Sequence, residues 1–147
     1  MIAKQPKIVI VAAEWHDFIV RKLIDGACET LNRHGISDFH VVRSPGSFEI
    51  PLLTKQVISS LRPDAVICLG VVVKGDTAHF EYVCEPVAHA LMEISLQTAV
   101  PCLFGILMTY TLEQALERAG GAMGNKGSEC AEAAVSLVNV LRSLHSE

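Results

Sequence analysis

An uninterrupted apolar run at residues 65–73 most limits the folds open to this chain. The run, Ala-Val-Ile-Cys-Leu-Gly-Val-Val-Val, carries no charge and is rich in β-branched side chains. It lacks the polar alternation of a half-exposed strand, so it predicts a parallel strand that is covered on both faces. A second apolar run, at residues 7–13, predicts another strand of the same kind.

Helical patterns alternate with these strands along the chain. Apolar residues recur at helical spacing from residue 17 to a stop at Gly35. Further elements follow: helices at 51–61, 78–98, 111–118 and after the glycine-rich segment 119–127, and strands at 39–42 and 102–108. This order predicts an α/β fold, a three-layer, flavodoxin-like sandwich whose central four-stranded parallel sheet is flanked by helices on both faces.

Composition limits the class of protein. The 147 residues suit a single domain, 1–147, and 50% hydrophobic with 19% charged residues predicts an ordered globular fold with a surface buried between copies. A net charge of −4 and a pI near 5.8 argue against nucleic-acid binding. No apolar run reaches the about 18 residues of a membrane span and residues 1–6 lack a signal-peptide core, so a cytoplasmic location is expected.

The five cysteines are predicted to be buried free thiols, because none belongs to a CxxC pair and each lies in an apolar or helical stretch. A metal site is not expected. His79, Cys84 and His89 are five residues apart, and such steps rotate by about 140° around a helix, so the three side chains do not share a face.

A polar turn joins the central strand to the helix after it. Gly75 lets the chain turn, and Asp76 or Thr77 is predicted to cap the helix. Free N–H groups and the positive end of the helix dipole then point out of the turn, a geometry that holds an anion such as phosphate. His79 follows in the first helical turn, so the segment predicts proton transfer beside a phosphorylated substrate.

A second irregular segment, residues 44–51, contains two prolines and a glycine. Phe48 and Glu49 in this segment have two interpretations. In the first, both residues contact a ligand at the carboxyl end of a strand. In the second, Phe48 forms a hydrophobic staple and Glu49 is a first-turn acid of the following helix. Taken alone, this segment leaves both interpretations open.

The candidate motifs share one location in the predicted fold. Ligands of parallel α/β folds gather at the carboxyl ends of the strands. The four predicted ends are residues 15–16, 46–49 and 71–79 and the region after Phe104, and every motif lies at one of them. This coincidence favours a functional role over a structural one.

Three segments resemble motifs of one known family. Residues 45–51, PGSFEIP, resemble PGAFEIP, and residues 69–83, LGVVVKGDTAHFEYV, resemble LGxVIRGxTxHFxYV. Residues 113–120, EQALERAG, and the GNKG at 124–127 resemble EQAxxRAG followed by GNKG. The segments occur in the right order and cover nearly the whole chain, which is similar to the 6,7-dimethyl-8-ribityllumazine synthase family.

The resemblance implies a transferase that acts in the penultimate step of riboflavin biosynthesis. It would condense 5-amino-6-(D-ribitylamino)uracil with 3,4-dihydroxy-2-butanone 4-phosphate and release phosphate and water. Each step moves a proton, so a histidine serves the chemistry, and no cofactor, metal or redox group is implied. Two alternatives use the same fold: a non-catalytic lumazine or flavin carrier, and a shell protein.

The resemblance also implies roles for single residues. His79 would transfer protons, and Arg118 would give the phosphate its counter-charge. The ribitylaminouracil would contact Trp15, Ser47, Phe48, Glu49, Val71, Val72, Val73 and Phe104. The butanone phosphate would contact Asp76, Thr77, Arg118 and Lys126.

Members of this family assemble as pentamers with active sites between adjacent subunits. A homopentamer is therefore expected, with Phe104 and Arg118 reaching a neighbour's site. Whether such pentamers build larger shells stays an open question. The chain departs from the family pattern at His16, Lys74 and residues 121–122, where Asn, Arg and Thr-Lys are common. Lys74 keeps the positive charge of arginine but loses its bidentate fork.

Overall fold

The structure, a computed structural model, describes residues 4–146. The expectation about a signal-peptide core concerns residues 1–6, and residues 1–3 of this segment lie outside the described range. The elements are β1 (Ile8–Ala13), α1 (Asp17–Arg33), β2 (Phe39–Ser44), α2 (Ile50–Leu61), β3 (Ala65–Val73), α3 (His79–Thr98), β4 (Cys102–Thr109), α4 (Leu112–Glu117), β5 (Ala119–Gly121), β6 (Gly124–Asn125) and α5 (Lys126–His145). None of the helices in the described residues has the length and apolar character needed to cross a membrane.

The four long strands form one sheet in the order β2-β1-β3-β4. β1 pairs in parallel with β2 and β3, and β3 pairs in parallel with β4. The predicted flavodoxin-like α/β sheet is thereby confirmed. Because all four strands run the same way, their carboxyl ends meet at one edge of the sheet, where ligands of such folds bind.

Two hydrophobic cores lie on opposite faces of this sheet. Ile8 and Ile10 point towards α1, α4 and α5, whereas Val9 and Val11 point towards α2 and α3. Every residue of β1 is therefore buried, which explains why its sequence shows no polar alternation. The prediction of helices on both faces is confirmed.

The cysteines are free, and three of them, Cys68, Cys84 and Cys130, are buried. The other two, Cys28 and Cys102, are half-buried, so the predicted burial is confirmed only in part. Desolvation raises the pKa of Cys130 to about 11 and raises that of Cys68 further. These two thiols therefore stay protonated and unreactive at neutral pH.

Element ends differ from the predictions in a few places. β2 and β4 extend to Ser44 and Thr109, further than the apolar pattern indicates. The glycine-rich segment, predicted as a break between helices, forms the small antiparallel sheet β5-β6. Gly120 and Gly124 have φ of 104° and 85°, which allows the tight reversal. The pattern of glycines alone does not indicate a pairing partner.

Helices α1 and α5 approach so closely that Gly127 has no room for a side chain. A Cβ on Gly127 would overlap the carbonyl oxygen of Leu23, and one on Gly26 would overlap the side chain of Asn125. Asn125 itself donates from Nδ2 to the carbonyl of Lys22 at 3.1 Å. This contact fixes α5 against α1 at the point where the last helix begins.

Replacing Gly127 with alanine is expected to lower the free energy of unfolding by about 3 kcal/mol, because the added methyl group meets rigid backbone. Urea unfolding measures the change. Gly75→Ala is the matched control, since a Cβ there meets nothing within 4 Å. Equal stability of the two variants would contradict the close approach of the helices.

Candidate active site

A cavity of about 690 Å³ lies at the carboxyl ends of β1, β2 and β3. Eight predicted site residues line it: Trp15, Ser47, Phe48, Glu49, Val71, Val72, Val73 and His79. Five further residues complete the lining: His16, Pro45, Gly46, Tyr82 and Val83. The structure therefore brings together residues from four separate parts of the chain.

Trp15 projects from a short link between β1 and α1 that Arg43 holds in place. Arg43 donates hydrogen bonds to the carbonyls of Ala12 at 3.2 Å and Ala13 at 2.9 Å, and to Asp17 Oδ1 at 2.6 Å. Its guanidinium, together with that of Arg21, lowers the pKa of Asp17 below its usual value. The indole is 69% exposed, so its ring is available to a ligand in the cavity.

His16 follows Trp15 at the predicted end of the first strand, where asparagine is common in the family, and it is not among the predicted site residues. It adopts a left-handed conformation with φ of 58° at the start of α1. Its ring meets the indole of Trp15 edge to face, with ring centroids 6.1 Å apart. Partial burial lowers the pKa of His16, so the neutral ring faces the cavity at neutral pH.

Replacing His16 with asparagine is expected to weaken the dependence of stability on pH. Burial lowers the pKa of His16 below its ordinary 6.5, so the unfolded chain binds the proton more readily than the folded one. The stability that the neutral ring contributes is present above pH 6.5 and is lost as pH falls through the folded-state pKa. Urea unfolding of both proteins at about pH 7.5 and 5.5 measures how their free energies of unfolding change with pH. An identical pH dependence in the variant would contradict the account.

The loop before α2 contains Phe48 and Glu49, and hydrogen bonds within it hold its conformation. Ser44 Oγ donates to the carbonyl of Gly46 at 2.6 Å, and the amide of Ile50 donates to the carbonyl of Ser47 at 3.2 Å. Phe48 is 58% exposed and lines the cavity. Glu49 is the N-cap of α2, makes no side-chain cap bond, and also lines the cavity. The first turn of α2 contains no acidic residue, so the first-turn-acid prediction for Glu49 is wrong. The hydrophobic staple and the ligand contact both stay predictions.

The turn after β3 carries His79 to the cavity. His79 is the first residue of α3 and is exposed. The helix N-cap is Ala78, so the predicted cap at Asp76 or Thr77 is wrong, although Thr77 Oγ1 accepts a bond from the amide of His79 at 3.3 Å. Asp76 and Thr77 are exposed and flank the cavity without lining it.

A second, smaller concavity lies against the edge strand β4 and has a volume of about 370 Å³. Its lining includes the three remaining predicted residues, Phe104, Arg118 and Lys126. The guanidinium of Arg118 donates to the carbonyl of Gln114 at 2.9 Å. The first cavity and this concavity share no lining residue, so within one chain the predicted site residues form two separate groups.

Sequence reasoning missed two residues that helical spacing indicates. Tyr82 lies three residues after His79 on α3, and Glu129 lies three residues after Lys126 on α5, so each pair shares a helix face. Glu129 Oε1 is 3.9 Å from Lys126 Nζ in the second concavity. Tyr82 lines the first cavity together with His79, and Glu129 lines the second concavity together with Lys126.

The sheet order and the strand-end cavity define an α/β protein with a cavity at the place where such folds bind small molecules. The family model described as 6,7-dimethyl-8-ribityllumazine synthase matches residues 5–142, nearly the whole chain. The chain therefore belongs to the lumazine synthase family, a family of transferase enzymes of riboflavin biosynthesis.

Proposed function

We propose that this protein condenses 5-amino-6-(D-ribitylamino)uracil with 3,4-dihydroxy-2-butanone 4-phosphate to give 6,7-dimethyl-8-ribityllumazine, phosphate and water. The observation that carries the proposal is the convergence of Trp15, the loop 47–49, the segment 71–73 and His79 on one cavity. An aromatic ring, hydrogen-bonding groups and an imidazole are the parts that a flat polyol-bearing substrate and proton transfer require.

The pyrimidine end of the cavity is assigned to Trp15 and β3. The indole stacks on the ring of the ribitylaminouracil, and backbone groups of Val71 to Val73 contact its edge. Glu49 accepts hydrogen bonds from the ribityl hydroxyls, since a carboxylate is an acceptor only. Ser47 and Phe48 also line the cavity, and they are assigned to the polyol chain.

The phosphate end is assigned to the turn before α3 and to a neighbouring copy. Amides of the turn at Asp76 and Thr77 face the anion, and Arg118, with Lys126, supplies the counter-charge from the adjacent copy. Phe104 of that copy closes the pocket. The separation of the two concavities in a single chain supports this division, because Arg118 does not line the cavity of its own His79.

A ring of copies, each giving its second concavity to the next copy's cavity, follows from this division. Such a head-to-tail contact closes into a cyclic assembly, and we propose a homopentamer. The exposed aromatic and aliphatic side chains around both concavities, including Tyr82 and Met123, supply apolar surface for the contact.

His79 is proposed to move the protons of the reaction. The amine of the uracil attacks the ketone, and loss of a first water gives an imine. The imine then eliminates phosphate, and ring closure releases a second water. His79 accepts the proton that the amine loses and returns one to a departing oxygen, as an imidazole can near neutral pH. Much of the acceleration comes from holding both substrates in reactive geometry, while Arg118 stabilises the leaving phosphate.

Replacing Trp15 with alanine is expected to raise the KM for the ribitylaminouracil about tenfold, because the stacking surface is lost. Trp15→Phe keeps a stacking ring and is expected to stay within about threefold of the native value. The KM for the butanone phosphate is expected to stay unchanged in both variants. Equal loss in the alanine and phenylalanine variants would contradict stacking.

The direct test of the proposed function mixes purified protein with both substrates and follows lumazine fluorescence. Turnover above the uncatalysed rate is expected, and it stops when either substrate is omitted. Tight lumazine binding without turnover would overturn the proposal in favour of a carrier.

A further inference from the structure

The turn 75–79 has two stems, Lys74 before it and Phe80 after it. The aromatic ring of Tyr110 contacts both stems. Tyr110, the residue after β4, stacks on Phe80 with ring centroids 6.3 Å apart and an interplanar angle of 27°. The ammonium group of Lys74 lies 5.5 Å from the centroid of the same ring. Lys74 follows β3 and Phe80 is the second residue of α3, so the ring bridges the two ends of the turn. Both distances are within the range of attractive contacts.

Tyr110 is itself held by the start of α4. Its amide donates to Gln114 Oε1 at 2.9 Å, and the same glutamine completes the capping box with Thr111. The amide of Lys74 donates to the carbonyl of Thr109 at 2.9 Å, which continues the pairing of β3 with β4. Hydrogen bonds therefore hold the backbone that carries the Tyr110 ring next to Lys74, the first stem of the turn.

The turn between the stems has little packing of its own. Its five residues, 75–79, are all exposed, and a Cβ on Gly75 would meet nothing within 4 Å. Lys74 Nζ also approaches Glu81 Oε1 at 3.8 Å, a second contact that joins the first stem to α3. The position of the turn therefore depends on what holds its two ends.

We propose that Tyr110 is a positioning residue that fixes the turn 75–79 in the conformation that receives the phosphate group. This inference rests on the proposed function, which assigns the phosphate to the amides of that turn. Amides bind an anion well only when they already point at it, so a ring that holds both stems lowers the cost of ordering the turn on binding. The ring is 68% exposed, so burial in a core does not account for its place.

Two variants separate the ring from its hydroxyl. Tyr110→Ala is expected to raise the KM for the butanone phosphate about fivefold, the size expected for losing aromatic contacts that preorganise a site. The KM for the ribitylaminouracil is expected to change less than about twofold, since that substrate lies against Trp15 and β3. Tyr110→Phe keeps the ring and is expected to restore native values. Leu144→Ala, which removes another exposed apolar side chain, is the control.

Hydrogen exchange of the amides at 75–79, measured without substrate, provides a readout that does not need turnover. Faster exchange there in Tyr110→Ala, and not in Tyr110→Phe or Leu144→Ala, is expected. Unchanged exchange, or a KM that rises equally for both substrates, would overturn the inference. If the native protein does not turn over, the proposed function fails, while the exchange data still decide whether Tyr110 orders the turn.

Discussion

Replacing His79 with alanine is expected to lower kcat about 100-fold, the loss that follows removal of a general acid-base group. His79 is exposed at the start of α3 and lines the cavity, so its loss leaves the packing of the two cores intact. The KM values of both substrates are expected to change little, because the proposed role is in proton transfer rather than in binding. Steady-state lumazine formation measures both constants.

His79→Asn is the companion variant, because the amide keeps hydrogen-bonding ability and cannot shuttle a proton. It is expected to match alanine. His145→Ala, at the end of α5, removes another exposed histidine and is expected to retain native activity. Recovery of most of the activity by asparagine would show that His79 acts by hydrogen bonding and would contradict the proton-transfer role.

Replacing Arg118 with alanine is expected to lower kcat/KM for the butanone phosphate about 100-fold, mainly through a higher KM. The guanidinium lines the second concavity, where its bond to the carbonyl of Gln114 fixes its position. Its removal takes away the charge that is proposed to meet the phosphate in both the bound substrate and the transition state. The KM for the ribitylaminouracil is expected to stay close to native.

Arg118→Lys tests whether charge alone is sufficient. Lysine keeps the positive charge without the planar fork, so a partial recovery is expected. Arg33→Ala, at the end of α1, removes another arginine, one with a more exposed side chain, and is the control for net charge. A similar loss of activity in the Arg33 variant would mean that overall charge, not Arg118, attracts the phosphate substrate.

The sheet could be predicted from the sequence because its strands are buried on both faces. The apolar run at residues 65–73 matches β3 at both ends, since a strand covered on both faces contains no polar residue that obscures its limits. β2 was predicted too short, because Arg43 and Ser44 are polar and still belong to the strand. Arg43 lies there to bond the end of β1, a tertiary contact that local pattern does not indicate.

The candidate site could be predicted as a list of residues but not as a geometry. The motifs predicted that Trp15, Glu49 and His79 share a cavity, because parallel strands bring their carboxyl ends together. They did not predict the bridge of Tyr110 between Lys74 and Phe80, because these residues meet only through the pairing of β3 with β4. The close contact of α1 with α5 at Gly127 is likewise a contact between residues distant in the chain, which local pattern does not indicate.

His79 of one copy and Arg118 of another are proposed to serve the same site, and a complementation measurement tests this pairing most directly. His79→Ala and Arg118→Ala chains with different tags are coexpressed, and mixed assemblies are purified through both tags. With equal and random mixing, about a quarter of the sites pair an intact His79 with an intact Arg118, so about a quarter of native activity is expected. Activity no higher than that of the two variants alone would mean that both residues act within one chain, and would contradict the account.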